Sequence, residues 1–257
     1  MGHSVRVLDI DLDAFLSDVA HWVRGTRRLN ARSYKPWSED QLRSFLEKNC
    51  RLSRTARIPG MYAVHHDKAF DYFRKIADDT NAPLDVVHID GHADLGMGGS
   101  SWVYLTRHVL SLSPERRMNP RRGPKSLNAG SYLAFALATR RIASLKYVYP
   151  KGGGNDLPEM YFSENNPSSG KIQLKRFSRQ TIAERVPLLL PLREADAVAV
   201  EPPIPFERVP ITKYESPRKF DYAFLCQSPG YTPRTADALI PIFEDYIELR
   251  PSPRELT

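Results

Sequence analysis

The sequence predicts an α/β protein with three layers, α/β/α, around a mostly parallel sheet. Two observations predict it. Short apolar runs alternate with stretches of helical spacing along the chain, the pattern of strands joined by crossover helices. Acidic and histidine-rich motifs also follow directly after apolar runs, and ligands of open α/β sheets gather at the carboxyl ends of strands.

Taken in order, Val5 to Leu8 reads as a buried strand that ends in the acidic stretch Asp9-Ile10-Asp11-Leu12-Asp13. Trp37 to Cys50 has helical spacing, with Trp37, Leu42, Phe45 and Leu46 apolar and Ser38 as the cap. Met61 to Val64 is a short strand, followed by His65-His66 and a helix from Asp67 to Ala77. Leu84 to Ile89 is the clearest strand, running into Asp90-Gly91-His92-Ala93-Asp94 and a glycine-rich loop from Gly96 to Ser101. Ala129 to Ile142 is an apolar helix, and Lys146 to Tyr149 a strand stopped by Pro150 and the glycines that follow. Ile172 to Phe177, Ala195 to Val200 and Tyr222 to Cys226 are further strands, and Thr235 to Leu249 is the last helix. The chain has no internal repeat, so residues 1–257 are expected to form a single domain.

Composition narrows the class. Hydrophobic residues are 41% and charged residues 26% of the 257, ordinary for a globular protein. No run approaches the ~20 apolar residues of a membrane span, and the start of the chain has no apolar signal core, so a cytoplasmic location and no membrane partner are expected. The two cysteines, Cys50 and Cys226, are far apart and imply no disulfide framework. The net charge is +7, with basic residues gathered at Arg24 to Arg32, Arg43 to Arg57 and Arg116 to Lys125. Such a surface attracts anions, including an acidic peptide segment, but a solvated face is the slightly better explanation. Nothing interleaves aromatic and basic residues for nucleic-acid readout, so no nucleic-acid partner is expected.

The chemistry concentrates in three motifs. Asp90, His92 and Asp94 put two carboxylates and an imidazole within five residues of a strand end, a mixture suited to manganese, iron(II) or zinc rather than calcium. Asp9, Asp11 and Asp13 share one face if the strand continues, and buried carboxylates need a cation. His65-His66 offers a further nitrogen ligand. His88 is expected to pack in the core or behind the ligands.

These residues resemble the ureohydrolase superfamily, which includes arginase and agmatinase. The resemblance implies an α/β/α fold and a centre of two manganese ions. Asp90, His92 and Asp94 match the family's DxHxD element, Asp9 and Asp11 its DxD element, and His66 its single histidine, with His65 in reserve. Leu225 to Tyr231 looks like the family's closing EVSP or EVNP strand. Two features depart from the pattern: the DxD strand opens the chain, and Cys226 stands where arginases hold the guanidinium with a glutamate. Glu201, Asp13 and Asp18 are candidates to replace that anchor. The segments LDIDLDAF, HHDKAF and HIDGHADLG resemble the OspR-type peptide arginases, which convert arginine to ornithine in ribosomal peptide precursors.

From that resemblance the ions share Asp9 and Asp90, with Asp94 and His66 completing one site and His92 and Asp11 the other. Water activated between the ions would hydrolyse a peptidyl arginine to ornithine and urea. Asp11, Asp94 and His65 are the expected catalytic residues. Cys226, Gly98, Trp102, Asp13 and Glu201 are the expected substrate contacts, and an arginine-containing precursor peptide is the expected partner. The alternatives are another metal-dependent amidohydrolase on the same scaffold, agmatinase-like or deacetylase-like, and a non-catalytic metal-binding module.

Overall fold

The seven residues Val5–Asp11 form β1, and all are buried. A strand with no solvent face belongs in the middle of a parallel sheet, and β1 lies there. In this computed structural model, residues 4–21, 23, 27–96, 101–188 and 190–252 are described. The other strands are β2 (Ile58–Ala63), β3 (Leu84–Ile89), β4 (Ile142–Tyr149), β5 (Lys171–Ile172), β6 (Lys175–Phe177), β7 (Ala197–Val200), β8 (Ile204–Pro210), β9 (Tyr222–Cys226) and β10 (Ile247–Pro251). Eight of the ten form one sheet in the order β10-β2-β9-β1-β3-β4-β8-β5. All its pairs are parallel except β5 with β8.

The helices are α1 (Glu39–Ser44), α2 (Ala69–Thr80), α3 (Ser101–Arg107), α4 (Tyr132–Ala138), α5 (Arg179–Arg185) and α6 (Ile240–Glu244). Side-chain alternation along β1 sends Val5 and Val7 to one face and Leu8 and Ile10 to the other. The first pair packs with Phe70 and Phe73 of α2 and Tyr132 and Phe135 of α4. The second packs with Leu42 of α1, Phe45, and Ile242 and Phe243 of α6. Helices therefore cover both faces, an arrangement compatible with three α/β/α layers.

Several elements differ from the sequence expectation. β1 carries Asp9 and Asp11 at its C-terminal end as expected, but Asp13 falls beyond it in a 3-10 turn. Ser38 caps α1 in a capping box with Gln41, but the helix then widens into a π turn at Phe45–Asn49. Residues 172–177 form two strands with different partners, β5 on β8 and β6 on β7, and β7 leaves the main sheet. β8 falls where the sequence predicts no element. Its prolines, Pro205 and Pro210, argue against a strand in sequence but sit near its ends. The expected last helix stops at Glu244, after which Ile247–Pro251 pairs with β2 as an edge strand. Among the described residues, no helix is long and apolar enough to cross a membrane.

Candidate metal centre

Parallel register assembles the centre. Asp9 lies opposite His88 of β3, and Asp11 opposite Cys226 of β9. β2 ends at Ala63, itself opposite Cys226, and three residues later His66 opens the turn into α2. At Asp11 the chain leaves the strand for a 3-10 turn, Leu12–Phe15, capped by the Asp11 carboxylate through the Asp13 N–H at 3.0 Å. That turn swings Asp13 toward the loop after β3. There its Oδ1 accepts the Gly91 N–H at 2.9 Å. A Cβ on Gly91 would meet both Asp13 carboxylate oxygens at 3.2 Å, so this approach favours glycine.

His66 is the hub. It is 1% exposed, its Nε2 lies 3.0 Å from Asp9 Oδ1, and its Nδ1 lies 3.2, 3.1 and 3.2 Å from oxygens of Asp11, Asp90 and Asp94. Despite this closeness, His66 Nδ1 and Asp90 Oδ2 have no hydrogen-bond partner. Buried polar atoms are rarely left so. With Nε2 donating to Asp9, a neutral ring presents an Nδ1 lone pair to three carboxylate oxygens, and only a proton or a metal ion among them relieves the repulsion; burial opposes the proton, whereas Tyr132, Asp9 and Asp11 push the His66 pKa up. Two ligands each ~2.1 Å from one ion and at right angles stand ~3 Å apart, close to the separations seen.

A second donor set adjoins the first. His92 Nδ1 lies 3.0 Å from Asp13 Oδ2 and 3.6 Å from Asp90 Oδ1. Asp90 thus turns one oxygen to each set, and its Oδ1 also accepts the His92 N–H at 2.7 Å. These buried Asp and His groups could hold metal ions.

Asp9 does something else. Its Oδ1 accepts from His66, and its Oδ2 accepts from His88 Nδ1 at 2.9 Å and from the Tyr132 hydroxyl at 2.5 Å. Both oxygens are in use, so in this arrangement Asp9 orients His66 and turns no free oxygen toward Asp11, Asp90 and Asp94, although with His66 and His88 it forms a further group able to hold an ion. Burial alone would raise its pKa, but His66 and His88 override this and hold it at about 2. Both ring nitrogens of His88 face acceptors, Asp9 and the His92 carbonyl, the latter at 3.0 Å. Burial disfavours its charge, yet the Asp9 hydrogen bond and the fields of Asp90 and Asp94 push its pKa up to about 9. Asp94 moves up to about 6, through burial and then the neighbouring Asp90 charge. Asp13 rises well above the carboxylate range through burial, Asp11 and Asp90. Crowded carboxylates at this depth are a strong electrostatic reason for a cation.

The remaining expected site residues fall as follows. Asp13, expected at the substrate, joins His92 and Asp90. Cys226 is buried beside Asp11 and His66. His65 is exposed and stands outside the cluster. Trp102, partly buried, packs against the small apolar cluster of Phe177, Ile182 and Leu192. Glu201 pairs with Arg117 and Arg140 at 2.9 and 2.7 Å. It precedes β8 as Arg140 precedes β4, so it lies at the opposite edge of the sheet. Gly98 lies outside the described residues.

Sequence reasoning missed four contributors. Tyr132 completes the Asp9 shell. The Ser228 hydroxyl donates to Asp11 Oδ2 from a residue at φ +45°. Asp156 Oδ2 accepts the Ala93 N–H at 2.8 Å, steadying the turn that holds Asp94 at φ +49°. Tyr231 packs edge-to-face with His92, ring centroids 4.7 Å apart, and His92 is 19% exposed. Tyr132 and Asp156 stand in no motif, whereas Ser228 and Tyr231 lie within the Leu225 to Tyr231 segment matched above, which by itself gives them no role.

No protein-family model matches this chain, and no curated protein matches it.

Proposed function

We propose that the chain is a metal-dependent hydrolase of the arginase type. Its substrate is a peptidyl arginine, its products are ornithine and urea, and its cofactor is a pair of manganese ions. The single observation that carries this reading is the orphaned pair His66 Nδ1 and Asp90 Oδ2, held 3.1 Å apart in a shell of carboxylates. Residues His66, Asp11, Asp90 and Asp94 would hold one ion, and His92, Asp13 and Asp90 the other. When bound, such ions lower the pKa of water, so that a nucleophile exists at neutral pH.

The chain's own groups supply the rest. Asp9, His88 and Tyr132 fix the His66 ring. Among the described residues, no Lys or Arg side chain bonds to Asp9, Asp11, Asp13, Asp90 or Asp94. Five carboxylates outweigh the charge of two divalent ions, which is compatible with a cationic guanidinium at the site. Asp94, 8% exposed, is the least buried of these carboxylates and the best placed to pass a proton to the leaving amine.

Incubating an arginine-containing peptide with the chain and manganese, then measuring ornithine by mass spectrometry and urea by assay, tests the reading. Both products should form, and Asp90→Ala should abolish them. Metal binding with neither product would refute the reaction, and faster turnover of free arginine would refute the peptide. Cys226 favours one second reading, because a neutral thiol offers a guanidinium no charge. An amidohydrolase acting on a neutral amide would release acetate or another acid in place of urea.

A further inference from the structure

The geometry points to Cys226 as an additional ligand of the ion at His66, biasing that site toward thiophilic divalent metals. This rests on the metal-centre reading above and concerns which metal the centre selects.

Cys226 is the last residue of β9 and is fully buried. The ordinary account of a buried free cysteine is a small apolar side chain filling the core, and Cys50 fits it, lying among Leu46, Leu52 and Phe45. Cys226 differs in its neighbours. Register on both sides places it opposite Asp11 and Ala63, so its Sγ, an Asp11 carboxylate oxygen and a His66 ring nitrogen all lie within 4.8 Å of one another. The independent observation is His66 itself, 1% exposed, with Nδ1 unpartnered and turned into the same space. The thiol's other contacts are with neutral groups, the Val64 carbonyl at 3.6 Å and the Ser228 hydroxyl at 3.2 Å.

The consequence is chemical. Asp11, Asp90 and Asp94 supply hard oxygens, and His66 is borderline. Adding a sulfur shifts preference from manganese toward zinc, cobalt(II) or iron(II). On coordination the S–H bond breaks heterolytically. The sulfur keeps the pair for the metal, and the proton passes to solvent. No redox change is involved.

Cobalt(II) tests this, because a thiolate ligand gives a near-ultraviolet charge-transfer band that oxygen and nitrogen ligands do not. The metal-free chain is loaded with cobalt chloride, and bound cobalt is quantified alongside the spectrum. The wild type and Cys50→Ser should both show the band. Cys226→Ser should bind cobalt without it, with zinc affinity reduced about tenfold and manganese affinity little changed. Cobalt bound to the wild type with no charge-transfer band would overturn the inference and leave the metal centre standing. So would a band that persists in Cys226→Ser. No cobalt bound at all would overturn both. The wild-type spectrum decides even if the variant folds poorly.

Discussion

Asp9 Oδ1 lies 3.0 Å from His66 Nε2, on the ring edge opposite the nitrogen that faces Asp11, Asp90 and Asp94. One carboxylate therefore sets both the orientation and the tautomer of the central imidazole, as partners behind metal-bound histidines commonly do. Asp9→Asn removes that charge without removing a ligand. Metal affinity should fall about 10- to 100-fold, measured by competition with a chelator, while the number of ions bound at saturation stays the same. An unchanged affinity would mean that Asp9 does not position His66.

The metal-free chain should lose stability as pH rises. The pKa of His88 is raised from 6.5 to about 9, so its contribution is complete below 6.5 and is lost as pH climbs through about 9. Asp94 is raised from 3.8 to about 6. The folded state thus favours its proton, and that contribution is complete below 3.8 and gone above about 6. Asp9 is lowered from 3.8 to about 2 and works the other way, its stabilisation disappearing as pH falls toward 2. Metal ligation requires deprotonated ligands, so added manganese should raise Tm more at pH ~8 than at pH ~5. Thermal scans with a chelator and with metal give the comparison, and a metal effect independent of pH would contradict this balance.

Asp156 is expected to matter although it touches no proposed ion. It holds the Ala93 N–H, next to Asp94 in a left-handed conformation that is costly for a side chain other than glycine. Asp156→Ala should weaken metal binding about tenfold. Asp156→Asn, which keeps an acceptor oxygen, should recover most of it. Calorimetric titration of the two variants checks this, and equal losses in both would point to the charge instead of the hydrogen bond.

Glu201 should be a stability residue. Its carboxylate pairs with the 4%-exposed side chain of Arg117, and removing one partner of a buried pair strands the other. Arg117 keeps hydrogen bonds to the Leu110, Leu112 and Ala138 carbonyls, so the loss in Glu201→Ala should lie near the low end, about 3 kcal/mol. Urea unfolding measures it. A changed manganese affinity in the same variant would contradict its placement at the far edge of the sheet.

Much of this site is legible in the sequence because strand ends announce it. Leu84 to Ile89 is a plain apolar run, and Asp90, His92 and Asp94 follow within reach of one another. Which oxygen faces which nitrogen is not legible, because it depends on where β1 gives way to a 3-10 turn. Alternation alone puts Asp9, Asp11 and Asp13 on one face. The break after Asp11 instead leaves Asp9 behind His66 and carries Asp13 over to His92. Tyr132 and Asp156 reach the site from 66 and 62 residues beyond His66 and Asp94, and only the packing of α4 and the loop after β4 reveals them. Glu201 is a candidate guanidinium anchor in the sequence, but its arginine partners come from distant segments and leave no local trace.

Metal content after equilibrium dialysis against manganese tests the central claim most directly, with wild type, Asp13→Ala and Asp90→Ala in parallel. Because Asp90 faces both donor sets and Asp13 only one, the wild type should retain two ions per chain, Asp13→Ala one, and Asp90→Ala fewer than either. A wild type that retains none, or an Asp90→Ala variant that retains as much as the wild type, would contradict a shared metal centre at these residues.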